Sequence, residues 1–210
     1  MLIAIMRRMN EDEIKKYWDA EAVNFDNAPD HGLLNNDTKN EWVKLLTSLI
    51  PIKSGSILDM GCGTGTLGII LSDLGYKVTG IDLSPNMINI AKRKALQKNI
   101  TLEFIVGNAR KPTFPSESFE LILARHIVWA LPEYKETLKN WSGLLKPGGY
   151  FVLIEGYWMT QAGIHQNELI EALPSNFELI TEKNLSSQEL LWGKPVDDER
   201  YALVAKKLFK

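Results

Sequence analysis

Residues 57–65 read Ile-Leu-Asp-Met-Gly-Cys-Gly-Thr-Gly, an apolar run carrying an acid near its end and passing through three alternate glycines into a helical segment. Glycine permits the tight turn and lets a ligand come within contact distance of the main chain. A strand–turn–helix of this kind belongs to parallel sheets, whose ligands bind beyond the carboxyl ends of the strands. Two ligand classes use it. Gly63-x-Gly65-x-x-Gly68 satisfies the dinucleotide fingerprint and would seat a pyrophosphate on a helix N-terminus. Asp59-x-Gly61-x-Gly63-x-Gly65 instead aims an acid at a ligand ammonium, with no phosphate involved. The second reading is favoured. The glycines begin earlier than a dinucleotide turn needs, and Asp59 would set negative charge near a pyrophosphate.

The rest of the chain supports a doubly wound α/β fold. Apolar runs at Ile57–Met60, Val78–Ile81, Leu102–Val106, Phe119–Ala124 and Tyr150–Ile154 are continuous, as in strands covered on both faces. Helical segments are expected near Thr66–Leu74, Pro85–Lys98 and Pro132–Leu145, the second opened by Ser84–Pro85 as N-cap and first-turn proline. A further helix near Ile164–Leu173 precedes two alternating runs, Phe177–Thr181 and Tyr201–Ala205, across a turn-rich Asn184–Asp198 connection. Two strands without a helix between them are most simply antiparallel. The expectation is one Rossmann-like domain over 1–210, with a mostly parallel sheet of about seven strands, the last antiparallel. Residues 10–50 read as a helical cap and 51–210 as the ligand-binding core. Asn10 and Glu13 pattern as a capping box, Ile14, Trp18, Ala22 and Phe25 share one helical face, and Trp42, Leu45, Leu46 and Leu49 mark a second helix.

Composition narrows the partners. With 210 residues the chain can bury roughly 70% of its unfolded surface, so no covalent or metal staple is required. Its 24 basic and 26 acidic residues leave a net charge of -2, which argues against nucleic acid. Cys62 stands alone, which excludes a disulfide framework and a multi-cysteine zinc site, and a reducing, cytoplasmic setting is expected. No metal site is expected. Met1–Met6 is apolar, but six residues fall short of the roughly 7–15 of a signal-peptide core. A loosely ordered start is expected there, and no segment reaches membrane-spanning length. Nothing in the sequence fixes the oligomeric state.

From about Tyr17 to the carboxyl terminus the chain resembles the class I S-adenosylmethionine-dependent methyltransferases. Asp59–Gly65 is similar to their first motif and Ile81-Asp82-Leu83-Ser84 to the second. Gly107-Asn108-Ala109 stands in the third position, Phe119–Ala124 is similar to the fourth strand, and Leu144–Gly149 to the turn entering the fifth. The resemblance implies S-adenosyl-L-methionine as cofactor. It would be held by Asp59, Gly61, Cys62 (through its backbone), Gly63 and Gly65, and by Asp82 on the ribose hydroxyls. Leu83 would flank the adenine, and Met87, Asn108 and Ala109 complete the contact set. Asn108 departs from the family, which usually places there an acid that accepts from the adenine amino group. Tyr17-Trp18-Asp19, His31-Gly32 and Arg125–Leu131 resemble a microbial subgroup acting on small molecules, so the implied partner is a small-molecule methyl acceptor.

Catalytic candidates are few. His126 is a possible general base and Tyr17 a second candidate. Arg125 has two readings, a local salt bridge or a contact to the cofactor carboxylate or substrate. Tyr17, Trp18, Phe25, His31 and Trp129 are candidates for substrate contact or a lid. Trp42 and Trp141 are expected in the core, and Lys92-Arg93-Lys94 and the Lys206, Lys207, Lys210 tail on solvated faces. Absence of an Asn/Asp-Pro-Pro-Tyr sequence after the fourth strand speaks against methylation of DNA bases. Two alternatives accompany the methyltransferase expectation: a catalytically silent cofactor-binding or partner protein, and a nicotinamide-dependent oxidoreductase.

Overall fold

Residues 9–209 are described by the computed structural model, and the Met1–Met6 run and Lys210 lie outside them. Seven strands, β1 (Ser56–Met60), β2 (Lys77–Asp82), β3 (Glu103–Val106), β4 (Phe119–Arg125), β5 (Leu145–Tyr157), β6 (Phe177–Asn184) and β7 (Glu199–Lys207), form one sheet of order β3-β2-β1-β4-β5-β7-β6. β1 to β5 pair in parallel, while β7 is antiparallel to both neighbours. Strand order reverses between β1 and β4. That is the switch point where such sheets open a crevice.

β7 does not follow β6 outward but inserts inside it, next to β5. Burial explains the exchange. Tyr201 to Ala205 are buried throughout, so the run read as alternating is a central strand. β6 alternates half-buried and exposed residues and suits an edge. The Asn184–Asp198 connection contains a short helix, Glu189–Trp192, which drives Trp192 into the core.

The helices are α1 (Glu11–Glu21), α2 (Pro29–Gly32), α3 (Asn36–Leu49), α4 (Thr66–Asp73), α5 (Pro85–Gln97), α6 (Tyr134–Leu144), α7 (Gln166–Glu171) and α8 (Glu189–Trp192). One sheet face carries α3 and α4 over Ile57, Leu121, Leu123 and Val152. The opposite face carries α6 over Leu58, Ile122, Phe151 and Leu153. Trp42 and Trp141 are fully buried on these two faces, as expected. α3 is therefore a core helix. Covering the sheet's carboxyl edge falls to α1, the following turn and α2.

Local signals hold at the helix starts. Asn10 and Glu13 form both halves of the capping box, and the Ser84 hydroxyl accepts from the Met87 amide at 3.1 Å. The tail departs from a solvated face. Lys207 donates to the carbonyls of Ser142 and Leu145 at 2.8 and 2.7 Å, closing the open end of α6.

Candidate active site

A cavity of about 510 Å³ opens at the switch point between the strand ends and the cap. Its size is typical of a small-molecule site. β1 delivers Asp59 and, just past the strand, the glycine turn. Gly61, Gly63 and Gly65 all have φ between 53° and 76°, so each needs the freedom of glycine. The space beside them is filled from different sides. A Cβ on Gly61 would strike Ile127, one on Gly63 would meet the Phe25 ring at 3.3 Å, and one on Gly65 would strike Phe104. Gly61, Cys62 and Gly63 line the cavity, whereas Gly65 packs the turn against the core. The Cys62 amide is already spent on the Ile81 carbonyl at 3.0 Å. Burial first, then the Asp59 and Asp82 charges, push its thiol well above the usual range, which leaves no thiolate for nucleophilic work.

Two acids end neighbouring strands. Asp82 accepts from the Gly63 and Ser84 amides, at 2.9 Å each, tying the first two turns together. A carboxylate offers about four lone-pair sites, so capacity remains toward the cavity. Asp59 is 3% exposed, and its Oδ2 has no hydrogen-bond partner among the described residues. Burial raises its pKa to about 7 against the opposing pull of the Arg125 guanidinium. Asp59 lines the cavity with Oδ2 against Gly68 of α4, and a buried acid there suits a cationic group.

Leu83, Met87, Asn108 and Ala109 line the same end of the cavity. Asn108 accepts from the Arg110 amide at 2.8 Å and donates to Glu11 of α1 at 2.7 Å, so its amide NH₂ grips the cap. Two further cap contacts fall on the other two turns. Asp19 accepts from Ser84, and Asp26 accepts from Thr64 at 2.5 Å. Lys94 corrects its assignment to a solvated face. Its ammonium donates to Asp26, Thr64 and Thr66 at 2.7, 3.1 and 2.8 Å. Thr64 and Thr66 stand at the start of α4, where a dinucleotide's pyrophosphate would sit, and Asp26 and Lys94 of other segments fill that place with an ion pair.

The cap brings Tyr17, Trp18, Phe25 and His31 onto the cavity wall, with Phe25 and His31 stacked at 4.2 Å. Opposite them, β4 ends in Arg125, and His126 and Trp129 follow it. Arg125 donates to the Asp30 carbonyl at 2.5 Å and lies 5.0 Å over Trp42. His126 sits at φ 56°, in the left-handed region. Its ring meets Trp158 edge-on at 5.2 Å and stacks on Trp192 at 5.9 Å. Burial first, then Arg125, Arg200 and His31, hold its pKa well below the usual range, so the ring is neutral. Its Nε2 has no hydrogen-bond partner among the described residues. Tyr17 moves the other way: burial and Glu21 raise its pKa, which makes it a proton donor.

Sequence reasoning missed the residues that hold this wall. Glu155 on β5 is fully buried and accepts from the Ile127 and Val128 amides at 2.9 and 2.7 Å, shaping the loop that carries His126. Burial pushes its pKa up to about 8. An acid at a strand's carboxyl end had singled out Asp59 and Asp82, and the same rule finds Glu155. Arg200 lies 4.5 Å over Trp192 and 5.6 Å over Trp158, held by Asp198 through bonds of 2.6 and 3.2 Å. No local pattern links those residues, which the folding of β5, α8 and β7 brings together.

The sheet order and the cavity at the three turns define a Rossmann-like ligand-binding protein. Known proteins agree. The family model described as a methyltransferase domain matches residues 58–153. The chain is 32% identical over 157 residues to the demethylmenaquinone methyltransferase of Lactococcus lactis, covering 71% of this chain and 61% of that relative. The fold matches the [4+2]-cyclase SpnF (TM-score 0.71, 20% identity, 81% of each chain) and a SAM-dependent methyltransferase of Methanosarcina mazei (TM-score 0.67, 21% identity, 79% of this chain and 98% of that one). Residues 58–153 therefore match a methyltransferase domain, in a chain similar to known S-adenosylmethionine-dependent methyltransferases in sequence and fold. Among the described residues no helix is long and apolar enough to cross a membrane.

Proposed function

We propose that this chain transfers a methyl group from S-adenosylmethionine to a small aromatic acceptor held under the cap. The observation that carries the reading is the continuous cavity from Asp82 and Asn108 at one end to His126, Trp129 and Trp158 at the other. The chain spans about 61% of the Lactococcus relative's length, so that enzyme's quinone substrate supports only the acceptor class.

The residues present fit the cofactor. Asp59 offers an acid oxygen for its ammonium, Asp82 has free acceptor capacity for the ribose hydroxyls, and Leu83, Met87 and Ala109 give an apolar adenine site. When bound, S-adenosylmethionine supplies an electrophilic methyl carbon on a sulfonium sulfur. The chain's share of the work is alignment and dryness. Holding an acceptor in line is worth about 7–11 kcal/mol, and Tyr17, Trp18 and Phe25 shield the cavity from water. Tryptophan walls bind flat rings by area and by edge-to-face contact. His126, neutral at the acceptor end, is our candidate for the group that meets the acceptor.

The test is calorimetry with S-adenosylhomocysteine, followed by turnover of methyl-labelled S-adenosylmethionine on a panel of phenols, hydroquinones and aliphatic alcohols. Tight S-adenosylhomocysteine binding with label passing to ring-bearing acceptors supports the proposal. Label passing only to aliphatic acceptors refutes the aromatic class, and failure to bind S-adenosylhomocysteine refutes the whole reading.

A further inference from the structure

Asp30 and His31 of α2 and His126 beyond β4 converge at the acceptor end of the cavity. One ligand atom from each lies within 4.8 Å of the other two. The His126 Nε2 is buried with no partner among the described residues. Asp30 pairs with Arg200 at 3.8 Å, an ion pair too long for a hydrogen bond, and its charge also acts on Arg125. Arg200 donates its hydrogen bonds to Asp198 instead. An ion bound here would share the Asp30 carboxylate with Arg200.

We propose that Asp30, His31 and His126 form a binding site for a divalent transition-metal ion on the acceptor side of the cavity. Two imidazoles and one carboxylate suit zinc and its first-row neighbours. Magnesium and calcium require more oxygen ligands than this site provides. Ligands at about 2.0–2.2 Å around a tetrahedral ion stand roughly 3.4 Å apart, so the three atoms need to close by about 1.5 Å or less. Three protein ligands would leave a coordination position open. An ion held by Asp30, His31 and His126 would supply a Lewis acid able to acidify an acceptor hydroxyl, as zinc acidifies bound water. That role rests on the methyltransferase reading, whereas ion binding does not.

The experiment strips the full chain with a chelator, then titrates it calorimetrically with zinc chloride, with magnesium chloride and, separately, with S-adenosylhomocysteine. One zinc per chain is expected, undisplaced by excess magnesium. His31→Gln, His126→Gln and Asp30→Asn should each weaken zinc at least about tenfold, and the double histidine variant should lose it, with circular dichroism confirming the fold. Cobalt substitution should give a visible ligand-field spectrum that disappears in the same variants. Absence of zinc binding, or equal zinc affinity in folded variants, overturns the proposal. So does stabilisation by inorganic phosphate that depends on Arg200, because the site is then an anion pocket. Zinc failure with intact S-adenosylhomocysteine binding removes the ion alone, and the reverse result removes the methyltransferase reading alone.

Discussion

Asp19 of α1 accepts a hydrogen bond from the hydroxyl of Ser84, the residue that caps α5, with 2.5 Å between the oxygens. The same carboxylate oxygen accepts from the Asn86 amide at 3.1 Å, so the cap supplies negative charge to the amino end of α5. Replacing Asp19 by Ala should cost about 1–2 kcal/mol. It should also expose α1 to limited proteolysis before the sheet unfolds. Unchanged cleavage kinetics, followed by mass spectrometry, would show that the cap is held elsewhere.

S-adenosylhomocysteine should raise the melting temperature, by the equivalent of about 2.7 kcal/mol at 100 times its dissociation constant. NAD and NADP should not. Asp82→Ala should lose most of that shift, partly because the Gly63 and Ser84 amides lose their common acceptor. Differential scanning fluorimetry of both proteins checks each point.

Asn108→Asp retains an acceptor for Arg110 but turns a carboxylate on Glu11, 2.7 Å away. We expect a small loss of S-adenosylhomocysteine affinity, restored by Glu11→Gln. Asn108→Leu should cost about 1–3 kcal/mol whatever stands at position 11. Calorimetry on the four variants separates a contact to the adenine from a contact to the cap, and an unrestored Asp variant would contradict the cap contact.

Glu155 has a folded-state pKa of about 8 against an ordinary value of 4.5. Between those values the folded state binds the extra proton, so its stabilising contribution is full below pH 4.5 and lost as pH rises through about 8. Glu155→Gln removes this dependence. Its stability relative to the parent chain should therefore improve from about pH 5 to about pH 9. Glu155→Ala, which strands two amides, should be less stable by about 1–3 kcal/mol or more. Chemical denaturation at several pH values measures both, and a flat Gln-minus-parent difference would place the charged form in the folded protein.

Tyr17 and Phe25 face the cavity from the cap. If they exclude water during transfer, alanine at both positions should lower turnover more than S-adenosylhomocysteine affinity. Full turnover in a folded double variant would show that the cap does not serve as a lid.

Sequence periodicity revealed the strands because a buried parallel strand must be apolar along its length, as Leu121 to Ala124 are. It revealed Asp59 and Asp82 because an acid ending such a strand has few structural excuses. It did not reveal the place of β7, since strand order is settled by burial across the whole sheet. Lys94 was misread because its helix looks solvated in isolation. What turns its ammonium inward is Asp26, on a segment 68 positions away. His31 and His126 looked like unrelated single histidines, and their convergence exists only once α2 folds over the end of β4.

Among the bonds that hold the cap, those at Thr64, Ser84 and Asn108 lie on the three turns that follow β1, β2 and β3. A ligand that orders those turns and a cap that rests on them are thermodynamically linked. Whatever factor the closed cap adds to ligand affinity, the ligand must add to cap closure. Occupancy of the deep crevice is therefore legible from outside, in the protection of residues 10–32, and a cap mutation such as Asp19→Ala, outside the cavity lining, changes how long a ligand stays.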